Sequence, residues 1–528
     1  LEWWFIVGIV TPEIFSESAG GPEDRTCTRR RALGLLAASG AILYGCGGNT
    51  ASAALRTPLT PEQFGARGDG VTDDTDAFLA LSSHLNSHDG GIVVLRRGAV
   101  YRIGRQHPGG GNYLSGLPIL FAENVSHFEV RMNGATLKFR DGMKFGSFHS
   151  HTGAALNTRA PHMRFADRAD IGYAIMARNV RFFSVSGGRI DCNSQNAVIG
   201  GLWGDTGRQC IHYGVAAFSC EQVEWSDLQV ADSCLDGLVY SYSGLTGRHP
   251  TKPFSVRNVS VSRVARNCVS VVGTNRALFE NCNFERAGEA PNNGLGTLRS
   301  APAACFDLEA EDAECRNLTI RKSNLISGPG TAAAFIADSG VSSDIAIEDT
   351  TLVGAVWTSK PRTVFIRCKV DGVFARLYGG DPRPDNNSRI IGCQVSDAFL
   401  SRAGSLTHSN LIDLEGAGPG VQIAQTTIDI GHSRLNLRGG ILRGVSINFA
   451  TGTNKIKNRD FAILADKARF EGVTITEQIP AAVRPADGYY ITAPEAGADA
   501  SILPAQSRLL WNSWSRGARG HSGRFRGP

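Results

Sequence analysis

Short runs in which apolar and polar residues alternate recur along the middle of the chain, and four of them open alike. Glu123-Asn124-Val125, Arg178-Asn179-Val180, Arg257-Asn258-Val259 and Arg316-Asn317-Leu318 each lead into a run such as Val259-Ser260-Val261 or Leu318-Thr319-Ile320. A period of two is that of a strand with one face buried. Further runs occupy Ala277 to Phe284, Asp344 to Leu352, Thr363 to Val370 and Arg389 to Val395, each read as one strand closed by Gly, Asn or Asp. The shortest units repeat every ~18 to 27 residues, one coil of a solenoid, whereas a propeller blade needs four strands and about 40 residues. A sandwich has no reason to reuse an Asn-aliphatic opening. The pattern predicts an all-β chain, a single-stranded right-handed parallel β-helix in which stacked coils bury an aliphatic column. The repeated Asn at a turn is expected to hydrogen-bond to the Asn of the next coil.

A solenoid needs its ends covered. Phe64-Gly65-Ala66-Arg67-Gly68-Asp69-Gly70-Val71-Thr72-Asp73-Asp74-Thr75-Asp76-Ala77-Phe78 is a glycine-rich turn running into a short N-terminal capping helix. Thr72 or Asp73 is its expected N-cap, and Ala77, Phe78 and Leu81 are expected to face the first coil. Capping accounts for the paired Asp73-Asp74 without a catalytic dyad. This segment resembles the amino-terminal signature of the rhamnogalacturonase/epimerase-like pectate lyase superfamily. The resemblance covers the cap closely and the coils loosely, from Pro61 to Glu477. It implies a right-handed parallel β-helix with substrate lying across successive coils, so that acids and bases come from rungs ~4.8 Å apart.

The 528 residues are 42% hydrophobic and 20% charged, which excludes a disordered chain and a multi-span membrane protein. With 62 Gly and only 4 Met, turns are favoured over long helices. The net charge of +5 gathers in Arg25 to Arg31 and in the acid-free stretch after Asp499, so the middle offers no basic stripe and no nucleic-acid partner is expected. Residues 1–24 are read as upstream or fragment sequence and 25–55 as an export signal. In that signal Thr28-Arg29-Arg30-Arg31 precedes an uncharged run from Ala32 to Gly45 too short to span a bilayer. The arginines resemble a twin-arginine signal and Leu43-Tyr44-Gly45-Cys46 a lipobox, although Tyr44 stands where a small residue is usual. Lipidation of Cys46 would tie the protein to a membrane, and cleavage near Ala51-Ser52-Ala53-Ala54 would release it. Either route makes it an exported protein, periplasmic or membrane-anchored. The β-helix domain is read as 56–490, and 491–528 as a basic Gly/Arg/Ser tail without a core. Of the 12 Cys, two lie in the signal. The ten from Cys192 to Cys393 show no zinc spacing, and most are read as small buried residues, although disulfides are permitted in an exported domain.

Candidate chemistry centres on Cys305-Phe306-Asp307-Leu308-Glu309, where alternation puts Asp307 and Glu309 together on the solvent face as an acid/base pair. A solvated strand face beside the acidic turn Glu311, Asp312 and Glu314 is the competing reading. Gly187-Gly188-Arg189-Ile190-Asp191-Cys192-Asn193 resembles the Gly-x-Ile-Asp-Gly-Asn segment of polygalacturonase-like enzymes, which makes Asp191 a candidate. Ser233-Cys234-Leu235-Asp236-Gly237 falls where those enzymes carry Asn-Thr-Asp, which adds Asp236. The Asn is lost, and neither Gly-His-Gly nor Arg-Ile-Lys follows, so the inverting machinery is incomplete. Arg266 is a candidate for binding a uronate carboxylate or for a place near a proton-abstraction centre, with a buried structural role equally open. Trp203 and His212 are candidates for holding a sugar ring. The insertion Met143 to Asp170 carries His149, His151 and His162 with no carboxylate at ligand spacing, so no metal is assigned and nothing supports a bridging Ca²⁺. No cofactor is expected. The chain is read as a carbohydrate-active enzyme, glycosidase or polysaccharide lyase, acting on an acidic or rhamnose-containing polysaccharide. The alternative is a non-catalytic β-helical surface protein that binds glycan.

Overall fold

The computed structural model describes residues 57–375 except 110, 157–162, 204–208, 329–332 and 338, and beyond them chiefly strands as far as Leu510. Strand after strand pairs in parallel with the equivalent strand of the next coil, in three columns. The first column runs through Pro118–Glu123, Gly172–Arg178, His212–Phe218, Asp236–Ser241, Val269–Val272, Ala304–Glu309, Ala333–Ala337 and Ala355–Thr358. The second includes Gly90–Val94, His127–Arg131, Phe254–Arg257 and Ala277–Glu280, and the third includes Val100–Ile103, Thr136–Phe139, Ser260–Val264 and Asn283–Ala287. The molecule is a right-handed parallel β-helix.

Inside the coils rings stack from rung to rung. Phe128 lies on Phe183 at 5.2 Å, Tyr240 on Phe254 at 4.2 Å, and Phe279 meets Phe306 edge-on at 4.8 Å. Each such ring, fully buried, contributes about 1.5–3 kcal/mol through the area it removes from water. All ten cysteines from Cys192 to Cys393 are buried, as most were expected to be, and none forms a disulfide.

The runs read as single strands are two strands each. One residue between the second and third columns takes the left-handed conformation, and these residues stack: Asp227, Asn258, Asn281, Lys322, Asp349, Arg367 and Gly392, with φ between 48° and 64°. Polar side chains there satisfy the bend by bonding along the stack. Asn281 donates to Asn258 Oδ1 at 2.7 Å, Asn258 donates to Asp227 Oδ1 at 2.9 Å, and Arg367 grips Asp349 with two bonds of 2.6 Å. Asn124 and Asn179 form the same ladder at a different bend, from first to second column, at 3.0 Å. The expected Asn-to-Asn bond is found between Asn124 and Asn179, whereas Asn258 belongs to a second bend and Asn317 donates to the Asn275 carbonyl at 3.1 Å.

The only α-helix among the described residues, Thr75–Ser87, covers the amino end, with Phe78, Leu81 and Leu85 fully buried. Its N-cap is Asp74 rather than Thr72 or Asp73, and that carboxylate reaches back to the amides of Arg67 and Gly68 at 2.6 and 3.1 Å. Asp73 accepts from the Thr75 amide at 3.1 Å and pairs with Arg140. Both aspartates are therefore spent on the cap. In the tail expected to lack a core, Arg508–Leu510 pairs with Tyr490–Thr492, and most of the remainder lies outside the described residues.

Candidate functional site

The first column positions the predicted carboxylates. Beside Asp236, Gly237 leaves room both for the core and for the next rung, since a Cβ there would fall 2.2 Å from Val261 Cγ1 of the third column and 2.9 Å from the Cys268 carbonyl. On Ala304–Glu309, Phe306 and Leu308 enter the core while Asp307 and Glu309 take the outer side, as alternation requires. That outer side is not open at Asp307, which is 2% exposed, whereas Glu309 is half-buried. The expectation of two carboxylates side by side in solvent is corrected: alternation fixes the face, and neighbouring rungs decide whether the face is covered.

Asp236, Arg266 and Asp307 come together as one buried network. Arg266 donates to Asp236 through Nε at 2.8 Å and again through Nη2. The Asn267 amide and Ser270 Oγ complete the set at 2.9 and 3.0 Å. Asn267 then carries the network to the next rung, donating to Asp307 Oδ2 at 2.9 Å and accepting from the Ala304 amide at 3.0 Å. Burial opposes the Arg266 charge, but Asp236 outweighs it and holds the guanidinium firmly protonated. Arg266 is committed to Asp236, the buried structural role of the two readings held open for it, and not the substrate-binding one. Asn267 and Ser270 are missing from the sequence-derived set because neither residue type signals chemistry by itself.

Just past the strand end the character changes. Glu311 is pushed up from 4.5 to about 7 by burial of its carboxyl, then by repulsion from Glu309 and Asp312, with Arg266 opposing. The residue as a whole is exposed, although its carboxyl is partly shielded. Asp312 accepts from Ser243, and Glu314 from the Gly247 amide at 2.6 Å. The acidic turn beside that strand thus holds a carboxyl with a strongly raised pKa. Its signal in the sequence was the density of acids, Glu309, Glu311, Asp312 and Glu314.

The remaining candidates do not join. Asp191 lies in the third column, 3.4 Å from Lys138 Nζ and accepting from the Asn193 amide at 3.0 Å. Asn193 binds back to Phe139 O and Asp141 of the preceding coil, so this segment serves the structure. His212 is corrected outright: it is fully buried, meets Phe139 edge-on at 5.0 Å, and its Nδ1 accepts from the Cys234 amide at 3.0 Å. Burial pushes its pKa down to about 3, and no sugar can reach it. Trp203 is half-buried against the same core. His149 and His151 are exposed, while His162 and Cys46 lie outside the described residues. Among the described residues no cluster of three or more His, Cys, Asp or Glu is placed to hold a metal, and no helix is long and apolar enough to cross a membrane.

Fold and site together describe a parallel β-helix with a carboxylate-rich edge on its first column. Neither a family model nor a curated protein matches the chain. Among solved structures it is similar to the A-module of a mannuronan C-5 epimerase from Azotobacter vinelandii, at 12% identity and TM-score 0.34, over 80% of this chain and all of that one. A family 28 exopolygalacturonase from Yersinia enterocolitica gives 11% identity and TM-score 0.37 over 80% and 78% of the two chains. A tailspike of an Acinetobacter baumannii bacteriophage, a capsular polysaccharide depolymerase, gives 14% and 0.33 over 79% and 63%. Identities this low do not bear on activity, and the fold rests on the strand pairings themselves.

Proposed function

We propose that the chain is an exported carbohydrate-active enzyme that cleaves an acidic or rhamnose-containing polysaccharide, as a glycosidase or a lyase. Glu311 serves as the proton donor and Glu309 as its charged partner, over the platform formed by Asp307, Asp236 and Arg266. One observation carries this reading: a partly open carboxyl with a pKa raised to about 7 beside a second carboxylate, the arrangement by which proteins keep an acid protonated near neutrality. A panel of pectins and bacterial polysaccharides tests it. New reducing ends alone mean hydrolysis, and reducing ends with the ultraviolet absorbance of an unsaturated uronate mean elimination.

The second reading, a non-catalytic glycan-binding surface protein, draws on the mutual saturation of Asp236 and Arg266, which removes two groups from chemistry. Absence of any product across the panel supports it. Export and the lipid anchor belong to the same proposal. Cys46→Ala is expected to leave the protein unprocessed or soluble in cell fractionation, and an unmutated protein found wholly soluble contradicts the anchor.

A further inference from the structure

On the outer side of the first column, three and four rungs before Asp307 is reached, the surface turns aromatic. Tyr173 and Tyr213 are register partners on adjoining strands, their rings 5.3 Å apart and tilted by 37°. Both are half-buried, and with Phe121 and Phe218 they rest on the outward-facing Met176, Ala216 and Val239. The insertion before Gly172–Arg178 contributes a small sheet whose strand Arg168–Ala169 pairs with Lys144–Ser147 and Asn112–Gly116. Arg168 is held there with its side chain only 10% exposed.

Two buried Arg–Asp pairs flank the rings, and they differ. Arg266 gives Nε and Nη2 to Asp236. Arg168 gives only Nε to Asp170, at 2.8 Å, while Asp170 Oδ1 also takes the Ile211 amide at 2.7 Å. Nη1 and Nη2 of Arg168 have no hydrogen-bond partner among the described residues, and the charge of Arg168 acts on the phenols of both Tyr173 and Tyr213. A planar edge with two parallel N–H donors matches a carboxylate, and a ring face beside it matches a pyranose.

We infer that Tyr173 and Tyr213 form a ring-stacking subsite whose anchor is the free edge of Arg168, and that this subsite takes a uronate-type sugar. The inference rests on the polysaccharide reading above, yet it concerns binding and not the acid at Glu311. It transfers to Arg168 the role that the sequence had offered to Arg266.

Calorimetric titration of the full chain tests it, in the Glu311→Gln background so that nothing is consumed. The probes are tetragalacturonate and oligomannuronate, with cellotetraose as the neutral control. Arg168→Lys keeps the charge and loses the fork. Arg168→Gln with Asp170→Asn removes the pair without leaving a lone buried carboxylate, and its melting temperature reports whether the fold is kept. Both variants are expected to weaken the acidic oligomer by about tenfold or more and to leave the neutral one unchanged, whereas Tyr173→Ala weakens every oligomer that binds. Unchanged acidic affinity in the folded double variant overturns the inference, as does equal binding of acidic and neutral probes, or no binding of either acidic probe. Arg168-dependent binding by a parent protein that releases no product leaves the subsite standing and removes the enzyme reading.

Discussion

Asp236 opens one strand of the first column, Glu311 follows the strand two rungs further on, and the two carboxylates have opposite fates. Asp236 is fully buried and receives four hydrogen bonds, two of them from a guanidinium. Glu311 sits beyond the strand end, among other carboxylates, with its pKa pushed up to about 7. The first has spent its bonding capacity on joining coils, while the second has the raised pKa that the proposed proton donor requires. Burial and charge, which look alike in a list of candidate acids, separate a structural carboxylate from a chemical one.

The largest effect is expected at the saturated carboxylate. Asp236→Ala leaves the Arg266 charge buried and unpaired, so denaturant unfolding is expected to show a loss of about 3–5 kcal/mol. A loss below about 1 kcal/mol, within the range of ordinary surface changes, would show that the pair is not structural. Glu311→Gln is expected to reverse the pattern, lowering turnover by about a hundredfold or more while the melting temperature stays put. An Asp236-like collapse in that variant would erase the distinction.

Titration sharpens the contrast. A proton donor works only while protonated, so the rate should fall as pH rises through about 7. Stability follows the same sign. With the Glu311 pKa raised in the folded chain, the folded state binds the proton more tightly, and stability declines as pH rises from about 4.5 to about 7. Glu311→Gln should flatten that slope, and an unchanged slope assigns it to other groups. The smallest effect is expected in the bend ladder. Asn281→Ala, which removes one side-chain bond and places Ala at φ 54°, should cost about 1–2 kcal/mol with no effect on turnover.

The coil repeat, the capping helix and the buried cysteines are legible in the sequence because each follows from a local rule: period two, helix capping, small apolar residues inside. The bends are half legible. Asn281, Asp349 and Gly392 lie inside runs read as one strand, because a single left-handed residue leaves the alternation around it intact, and Arg367 takes the same conformation without any turn signature. Alternation assigned Asp307 to the correct face and could not report that Asn267 and its neighbours cover it. His212 failed for a related reason. It opens its strand one residue before Tyr213, and that single step separates the core from the outer face. Glu311 lies where the strand period stops, and the Arg168–Tyr213 arrangement joins residues that only the stacking of coils brings together.

The most direct test is the comparison of parent and Glu311→Gln proteins on the polysaccharide panel, with reducing ends and unsaturated uronate followed together. The account predicts product from the parent on at least one acidic or rhamnose-containing polymer, and about a hundredfold less from the folded variant. Equal product from the two proteins would contradict the assignment of the acid, and no product from the parent on any polymer would contradict the enzyme itself.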